Sequence, residues 1–312
     1  MYPATAENVE AGPEGTASAR GPWRQAVARF RRRWLGVAAL VGLVVFSIVA
    51  LLAKTISPYA ADDEFIQFLG HPQPPFSPHH LLGTDKISHD FLSQLLVAIH
   101  ETMLSALVCA GCTTVVGTIV GALAGYYGGW FDAIVSWVTT VIVAVPAIAF
   151  LLIVIIWHHF PVSPLQFAYW LTIVLWTGVA RVVRASVASL RVREYVEAAH
   201  ALGASSPRVI FRHLMPNALG TVLVAATSVA GQSIVLVATV DYLGYGFNEY
   251  ARPTLGGLLA VAAQGIVAPG QFTPVNSPWW LFVFPAVLLV VLLGCINLLG
   301  DALDDALNPR AA

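Results

Sequence analysis

Long unbroken apolar runs dominate the chain, and neither strand alternation nor a single helical stripe accounts for them. They occupy residues 34–53, 103–126, 131–157, 162–180, 218–243 and 279–299. An α-helix needs about 20 predominantly apolar residues to cross the hydrocarbon core of a bilayer, so the pattern predicts six transmembrane helices. Arg31, Arg32 and Arg33 stand before the first run, as they would before a secretory signal. Its apolar stretch exceeds the ~7–15 residues of such a segment, and no A-x-A site closes it before Lys54, so a retained anchor is predicted. Pro146 falls inside the third run and is expected to kink it, while Gly128-Gly129 predicts a tight turn between the second and third.

The polar stretches complete the layout. Residues 1–33 form an N-terminal segment whose first 22 residues are rich in Gly, Ala and Glu and read as disordered. The first transmembrane helix is 34–53, and 54–101 is a long connection carrying Pro72, Pro74, Pro75 and Pro78. Ile87, Phe91, Leu95 and Ile99 recur every four residues at its end, predicting a short amphipathic helix on or dipping into the membrane surface. A five-helix core spans 102–300, with its longest polar connection at 181–217, and a tail covers 301–312. A second connection, 244–278, is rich in Gly and Pro.

Composition agrees. Of 312 residues 57% are hydrophobic and 11% charged, with a mean hydropathy of +0.74. Ordinary soluble domains carry about 25% charged residues, so a cytosolic enzyme, a nucleic-acid binder and a disordered chain are excluded, and an all-α integral membrane protein is predicted. Thirteen of the sixteen basic residues fall on one side of the predicted layout: Arg20, Arg24, Arg29, Arg31, Arg32 and Arg33; Arg181, Arg184, Arg191, Arg193, Arg208 and Arg212; and Arg310. Only Lys54, Lys86 and Arg252 fall on the other. Positive charge marks the cytoplasmic side, so both termini are expected inside. Trp34, Trp130, Trp157, Trp279 and Trp280 lie at run ends, where headgroups are expected.

The candidate chemistry is sparse. Cys109, Cys112 and Cys295 all lie in apolar runs; Cys109-x-x-Cys112 reads as small packing residues, with a redox or metal pair as the alternative. The pairs His79-His80 and His158-His159 have no carboxylate or cysteine at ligand spacing, so no metal site is expected. Asp241 is read as the one carboxylate within or at the end of a run away from the inner surface, a candidate for lining a pathway. There is no G-x-x-x-x-G-K-[ST] loop, no H-E-x-x-H and no G-x-S-x-G, and the only lysines, Lys54 and Lys86, are both expected outside.

The connection at 181–217 is the most patterned segment. Val192, Tyr195, Val196, Ala199 and Leu202 follow helical spacing, with Arg191, Arg193, Glu194 and Glu197 on other faces. Gly203 is expected to stop this helix, and Ser206-Pro207 to start a second one as N-cap and first residue, ending before Pro216. Two readings are open. One is an interfacial loop whose arginines set topology; the other is a docking element presenting Ala198, Ala199 and Ala201 to a groove in a soluble partner, with the elbow passing displacements to the adjoining spans.

Here the residues resemble a known family. Glu197-Ala198-Ala199, then Gly203, then Pro216, closing Arg212-His213-Leu214-Met215-Pro216-Asn217, is similar to the EAA loop of permeases of ATP-binding-cassette importers, in the form found in dipeptide and oligopeptide permeases. His80-Leu-Leu-Gly83-Thr84-Asp85 with Asp90, Gly125-Tyr-Tyr-Gly-Gly129, and Asn297-Leu-Leu-Gly300-Asp301 ending Asn308-Pro309-Arg310 resemble the family's external segment, turn and C-type C-terminal signature. The matches run from about 80 to 310. The resemblance implies a six-helix permease of the type I importer architecture in the bacterial plasma (inner) membrane. It implies pairing with a B-type permease and two ATPase domains that bind ATP and Mg. An external binding protein would deliver a peptide or similar small solute, and this chain would hold no cofactor and have no catalytic residue. Glu197, Ala198, Ala199 and Gly203 would belong to the coupling helix, with Ser205 and Ser206 near its end.

There are departures. Ser88-His89 stand where the family often has Gly-Arg, Val237 replaces a Glu, Asp241 a Ser, Asp304 an Arg and Asn308 an Asp. These leave the cargo open among dipeptides, oligopeptides, glutathione, nickel chelates and haem. The rival readings are an ion-coupled secondary transporter using Asp241 and a membrane-embedded enzyme using Cys109, Cys112 or a histidine pair. An inverted repeat would favour the transporter, and none is visible.

Overall fold

The computed structural model describes residues 22–60, 72–85, 88–157, 163–245, 253–267 and 278–307. Residues 1–21, Lys86 and Ile87, His158 and His159, Gly246, Arg252 and the Asn308-Pro309-Arg310 ending lie outside them. Among the described residues the fold is helical: α1 Pro22–Arg32, α2 Trp34–Ile56, α3 Phe91–Tyr127, α4 Gly129–Ala144, α5 Ala147–Trp157, α6 Pro164–Leu190, α7 Glu194–Ala201, α8 Ser206–Val209, α9 Met215–Tyr242, α10 Leu255–Val267 and α11 Trp279–Leu307. Helices α2, α3, α6, the continuous run from α8 through α9, and α11 are each long and apolar enough to span a membrane, and α4 with α5 qualifies as a sixth when taken as one bent span.

The bend is where Pro146 places it. Val145 is extended (φ −83°, ψ 124°), because the proline ring bars its predecessor from helical geometry, and the two halves diverge by 77°. The Gly128-Gly129 turn also forms, both residues at positive φ (65° and 59°), a region open to glycine for want of a Cβ.

The segment before the second span differs from the surface helix predicted for it. Phe91, Leu95 and Ile99 are buried in the first turns of α3, which runs unbroken for 37 residues. At 1.5 Å per residue it reaches about 55 Å, well beyond the ~30 Å hydrocarbon core. The four-residue repeat is therefore the buried stripe of a projecting helix end. Leu255 and Leu258 of α10, with Trp280 and Leu281 of α11, cover it.

The centre of the bundle is the contact between α3 and α6. A Cβ on Gly117, Gly121 or Gly125 would stand 2.6 Å from Val179 Cβ, 2.5 Å from the Ala180 carbonyl oxygen and 2.6 Å from the Arg184 carbonyl oxygen. Glycines at every fourth position bring the two backbones together, the arrangement by which helices pack where lipid supplies no hydrophobic drive. Arg184 then pairs with Asp132 through both guanidinium and carboxylate edges, tying α4 to α6.

Candidate functional site

The patterned connection folds into a rigid elbow. Helix α6 continues to Leu190, so Arg181 and Arg184 are helical residues of the span rather than loop residues. Arg191 donates to the Tyr126 carbonyl at 2.9 Å, and α7 follows. Gly203 closes α7 at φ +77°: its amide bonds the His200 carbonyl at 2.9 Å and the Ala204 amide reaches Ala199 at 3.0 Å. This pair of bonds satisfies the orphan carbonyls of the helix end. Ser205 takes the N-cap position of α8, without a side-chain cap bond, one residue before the predicted Ser206.

Two expectations are corrected here. No second short helix ends before Pro216: α8 passes through a π-helical turn, Ile210–Leu214, into α9. The Met215 amide bonds Ile210 rather than Phe211, and this widened turn accommodates a proline that has no N–H and would clash with the carbonyl four residues back. The second concerns Ala199, which is 8% exposed. With Val196 it packs on Val209, Ile210 and Leu214, so it faces the chain's own core. Glu197, Ala198, Ala201 and Gly203 are exposed, as is Ser205, and Ser206 is half-buried. The outward apolar groups are Leu202 (89% exposed) and Phe211 (73%), with Val192 and Tyr195.

Beside the elbow an open groove of about 560 Å3 runs between α6, α9 and the last turns of α11. Val179 and Val182 form one wall, Thr221, Ser228 and Gln232 supply polar groups on α9, and Asp304 closes the α11 end. The elbow is thus continuous with both helices that frame the groove.

Asp241 does not line this groove. It is 3% exposed, and the Thr254 hydroxyl donates to its carboxylate. Another buried acid, Glu101, lies in α3. The sequence reading missed it because it stands at the edge of an apolar run taken to begin after it. Cys109 is buried beside the Ser233 hydroxyl at 3.2 Å, whereas Cys112, one turn further along α3, is exposed, and both are free thiols.

The His80–Asp90 motif folds into a buried network, although no carboxylate stood at ligand spacing in the sequence. His80 Nδ1 lies 2.9 Å from Asp90 and His89 Nδ1 2.9 Å from Asp85. Asp85 also accepts the Gln94 amide at 3.0 Å, and Asp90 caps α3 by accepting the Ser93 amide at 2.9 Å. Among the described residues no group of three or more His, Cys, Asp or Glu is placed to hold a metal ion.

Comparison with known proteins places these features in a family. Residues 117–312 match the model of the binding-protein-dependent transport system inner membrane component, and residues 21–75 that of the N-terminal transmembrane domain of oligopeptide transport permease C. The chain is 32% identical to an oligopeptide transport system permease protein of Mycobacterium tuberculosis, over 91% of this chain and 94% of the relative. It is 29% identical to one of Bacillus subtilis, over 99% and 97%. A glutathione transport system permease protein of Escherichia coli is 30% identical over 93% and 91%. With a bundle of apolar helices, a glycine-closed elbow and a family model that covers most of its length, the chain belongs to the binding-protein-dependent transport system inner membrane components, the permeases of ABC transporters.

Proposed function

We propose that this chain is the C-type permease subunit of an ATP-driven importer, carrying half of the translocation pathway for a peptidic solute. The observation that carries the reading is the continuity of the elbow with α6 and α9, the two helices framing the groove. A displacement applied at α7 is delivered to both walls, since Val196 and Ala199 lock α7 to the π-helical turn at the foot of α9. The applied force comes from two partner ATPase domains that bind ATP and Mg. This agrees with the absence of a Walker-type loop from the sequence.

In this reading the coupling contact is made by Glu197 and Ala198, with Leu202 and Phe211 as apolar anchors. Ala199, Gly203, Ser205 and Ser206 set the shape of the elbow. The partner permease of B type faces the groove, and Thr221, Ser228 and Gln232 offer hydrogen bonds that a peptide backbone accepts irrespective of its side chains. Asp241 reaches the pathway only when α10 lifts from the end of α9. An external binding protein delivers the solute, the bacterial inner membrane holds the assembly, and both termini face the cytoplasm, as thirteen of sixteen basic residues favour. Relatives named for oligopeptides and for glutathione share peptidic cargo.

Affinity purification of the tagged chain from native membranes in mild detergent tests this. Recovery of a second permease and Walker-motif ATPases in near-equal amounts is expected. Recovery of the chain alone or as a homodimer overturns the reading in favour of an ion-coupled transporter, with Asp241 as the first residue to replace.

A further inference from the structure

Helix α1 lines neither the elbow nor the groove, yet it is the most sharply two-sided of the described helices. Its eleven residues contain four arginines and no acid. A single extended residue, Arg33, separates it from the first span, so α1 is held at the membrane surface by covalent connection. Phe30 lies against Gly36 of α2, and Arg33 pairs with Asp305 of α11 at 2.6 Å. Arg24, Arg29, Arg31 and Arg32 remain exposed, and among the described residues no acid stands within ion-pair distance of them. Between the packed Phe30 and Arg24 with Arg31 stands Val27, 56% exposed.

We propose that α1 is a binding surface for anionic phospholipid headgroups of the adjacent leaflet. Four unpaired guanidiniums on one short helix match phosphate in charge and in bidentate geometry. An arginine near an anionic membrane surface gains about 1 kcal/mol, roughly a fivefold preference. The occupant is lipid rather than an acidic protein segment because the helix is tethered one residue from a span and carries an exposed apolar residue beside its charges. The site also has a route to the groove. Arg33 pairs with Asp305, and the neighbouring Asp304 lines both the cleft beside Arg33 and the groove. Lipid held by α1 therefore steadies the end of α11 that forms one groove wall.

The test uses the full chain in nanodiscs of equal phosphatidylglycerol and phosphatidylcholine, with retained lipids counted by native mass spectrometry. Phosphatidylglycerol should be enriched on the wild-type chain, and the enrichment should fall steeply as salt is raised. Replacing Arg24, Arg29, Arg31 and Arg32 with Gln should lower it at least fivefold, while Lys at the same four positions should keep part of it, since Lys supplies the charge without the bidentate fork. Removing Arg193, Arg208 and Arg212 should leave it nearly intact. Enrichment unchanged by the Gln set, or indifferent to salt in the wild type, overturns the proposal. Equal losses from both arginine sets also overturn it, by showing diffuse charge rather than α1. Loss of partner proteins from the Gln variant with lipid unchanged assigns α1 to a protein contact instead. The lipid readings require no partner ATPases, so they fail or stand apart from the importer assignment.

Discussion

The Thr254 hydroxyl donates to the buried Asp241 carboxylate, and its oxygen accepts the Gly257 amide at 3.0 Å. One side chain therefore caps α10 and binds it to the last turn of α9. Next to it the Leu255 amide donates to the Thr102 hydroxyl at 3.1 Å, bringing α3 into the same junction. Thr254→Val keeps the shape but removes both hydrogen bonds. A buried hydrogen bond to a charged group together with an N-cap is worth about 2–4 kcal/mol. A clear fall in the midpoint of thermal unfolding in detergent is expected, with Thr254→Ser retaining most of the wild-type value. Equal midpoints for Val and Ser variants would show that the junction does not hold α10.

The α3–α6 contact makes a contrast within one helix. Gly121→Ala drives a methyl to 2.5 Å from the Ala180 carbonyl oxygen, whereas a Cβ at Gly111 meets nothing within 4 Å. Backbone cannot swing aside as a side chain can, so overpacking at Gly121 should cost about 1–3 kcal/mol. Gly111→Ala should be neutral or slightly stabilising, since alanine favours the helix. Unfolding of both purified variants, compared with the wild type, checks the difference; a neutral Gly121→Ala would mean that the two helices are not in backbone contact.

On the elbow, neighbouring apolar residues should behave oppositely. Ala199 packs into the chain's own core, so Ala199→Leu should destabilise the purified permease itself. Leu202 touches solvent over nearly all its surface, and Leu202→Ala should leave folding unchanged while weakening recovery of the partner ATPases and slowing transport. Gly203→Ala meets no neighbouring atom, but places a Cβ in the left-handed region at a cost of about 1–2 kcal/mol. Reduced transport with ATPases still bound is the expected result for that variant. Wild-type transport in both Leu202→Ala and Gly203→Ala would remove the coupling role from this loop.

These opposite roles mark how far the residues alone could be read. The spans, the bend at Pro146 and the stop at Gly203 were legible, because apolar length, a missing amide and a missing Cβ act locally. The inward face of α7 was not: Ala198, Ala199 and Ala201 are identical in an eight-residue helix, and only the approach of Val209, Ile210 and Leu214 distinguishes them. The π-helical turn was hidden for a related reason, since Pro216 reads as a helix boundary unless the preceding carbonyls have been moved aside. The Asp241–Thr254 contact depends on α10 folding back over α9, a long-range event with no local signature. Glycines at 117, 121 and 125 did carry a signal, a repeated G-x-x-x-G, that points to close helix packing.

The His80–Asp90 motif offers the sharpest separation of scaffold from transport. Asp90 accepts the Ser93 amide at 2.9 Å and the Ser93 hydroxyl at 2.7 Å on one oxygen, while the other lies 2.9 Å from His80. Both carboxylate oxygens are thus committed, and the residue is almost wholly buried. Asp90→Ala removes the N-cap of α3 and leaves His80 and Ser93 without that partner, a loss of about 2–4 kcal/mol by the usual magnitudes for a cap and a buried charged hydrogen bond. Asp90→Asn keeps an acceptor for the helix amide and, with its NH2 turned toward the ring, a donor for the His80 ring nitrogen, so it should retain more than half of that stability. Urea unfolding followed by loss of helical circular dichroism gives the order wild type, Asn, Ala. If transport per folded molecule then matches the wild type in the Asn variant, the motif serves to hold the projecting end of α3 in place. A transport defect in a fully folded Asn variant would instead place Asp90 in the handling of the solute.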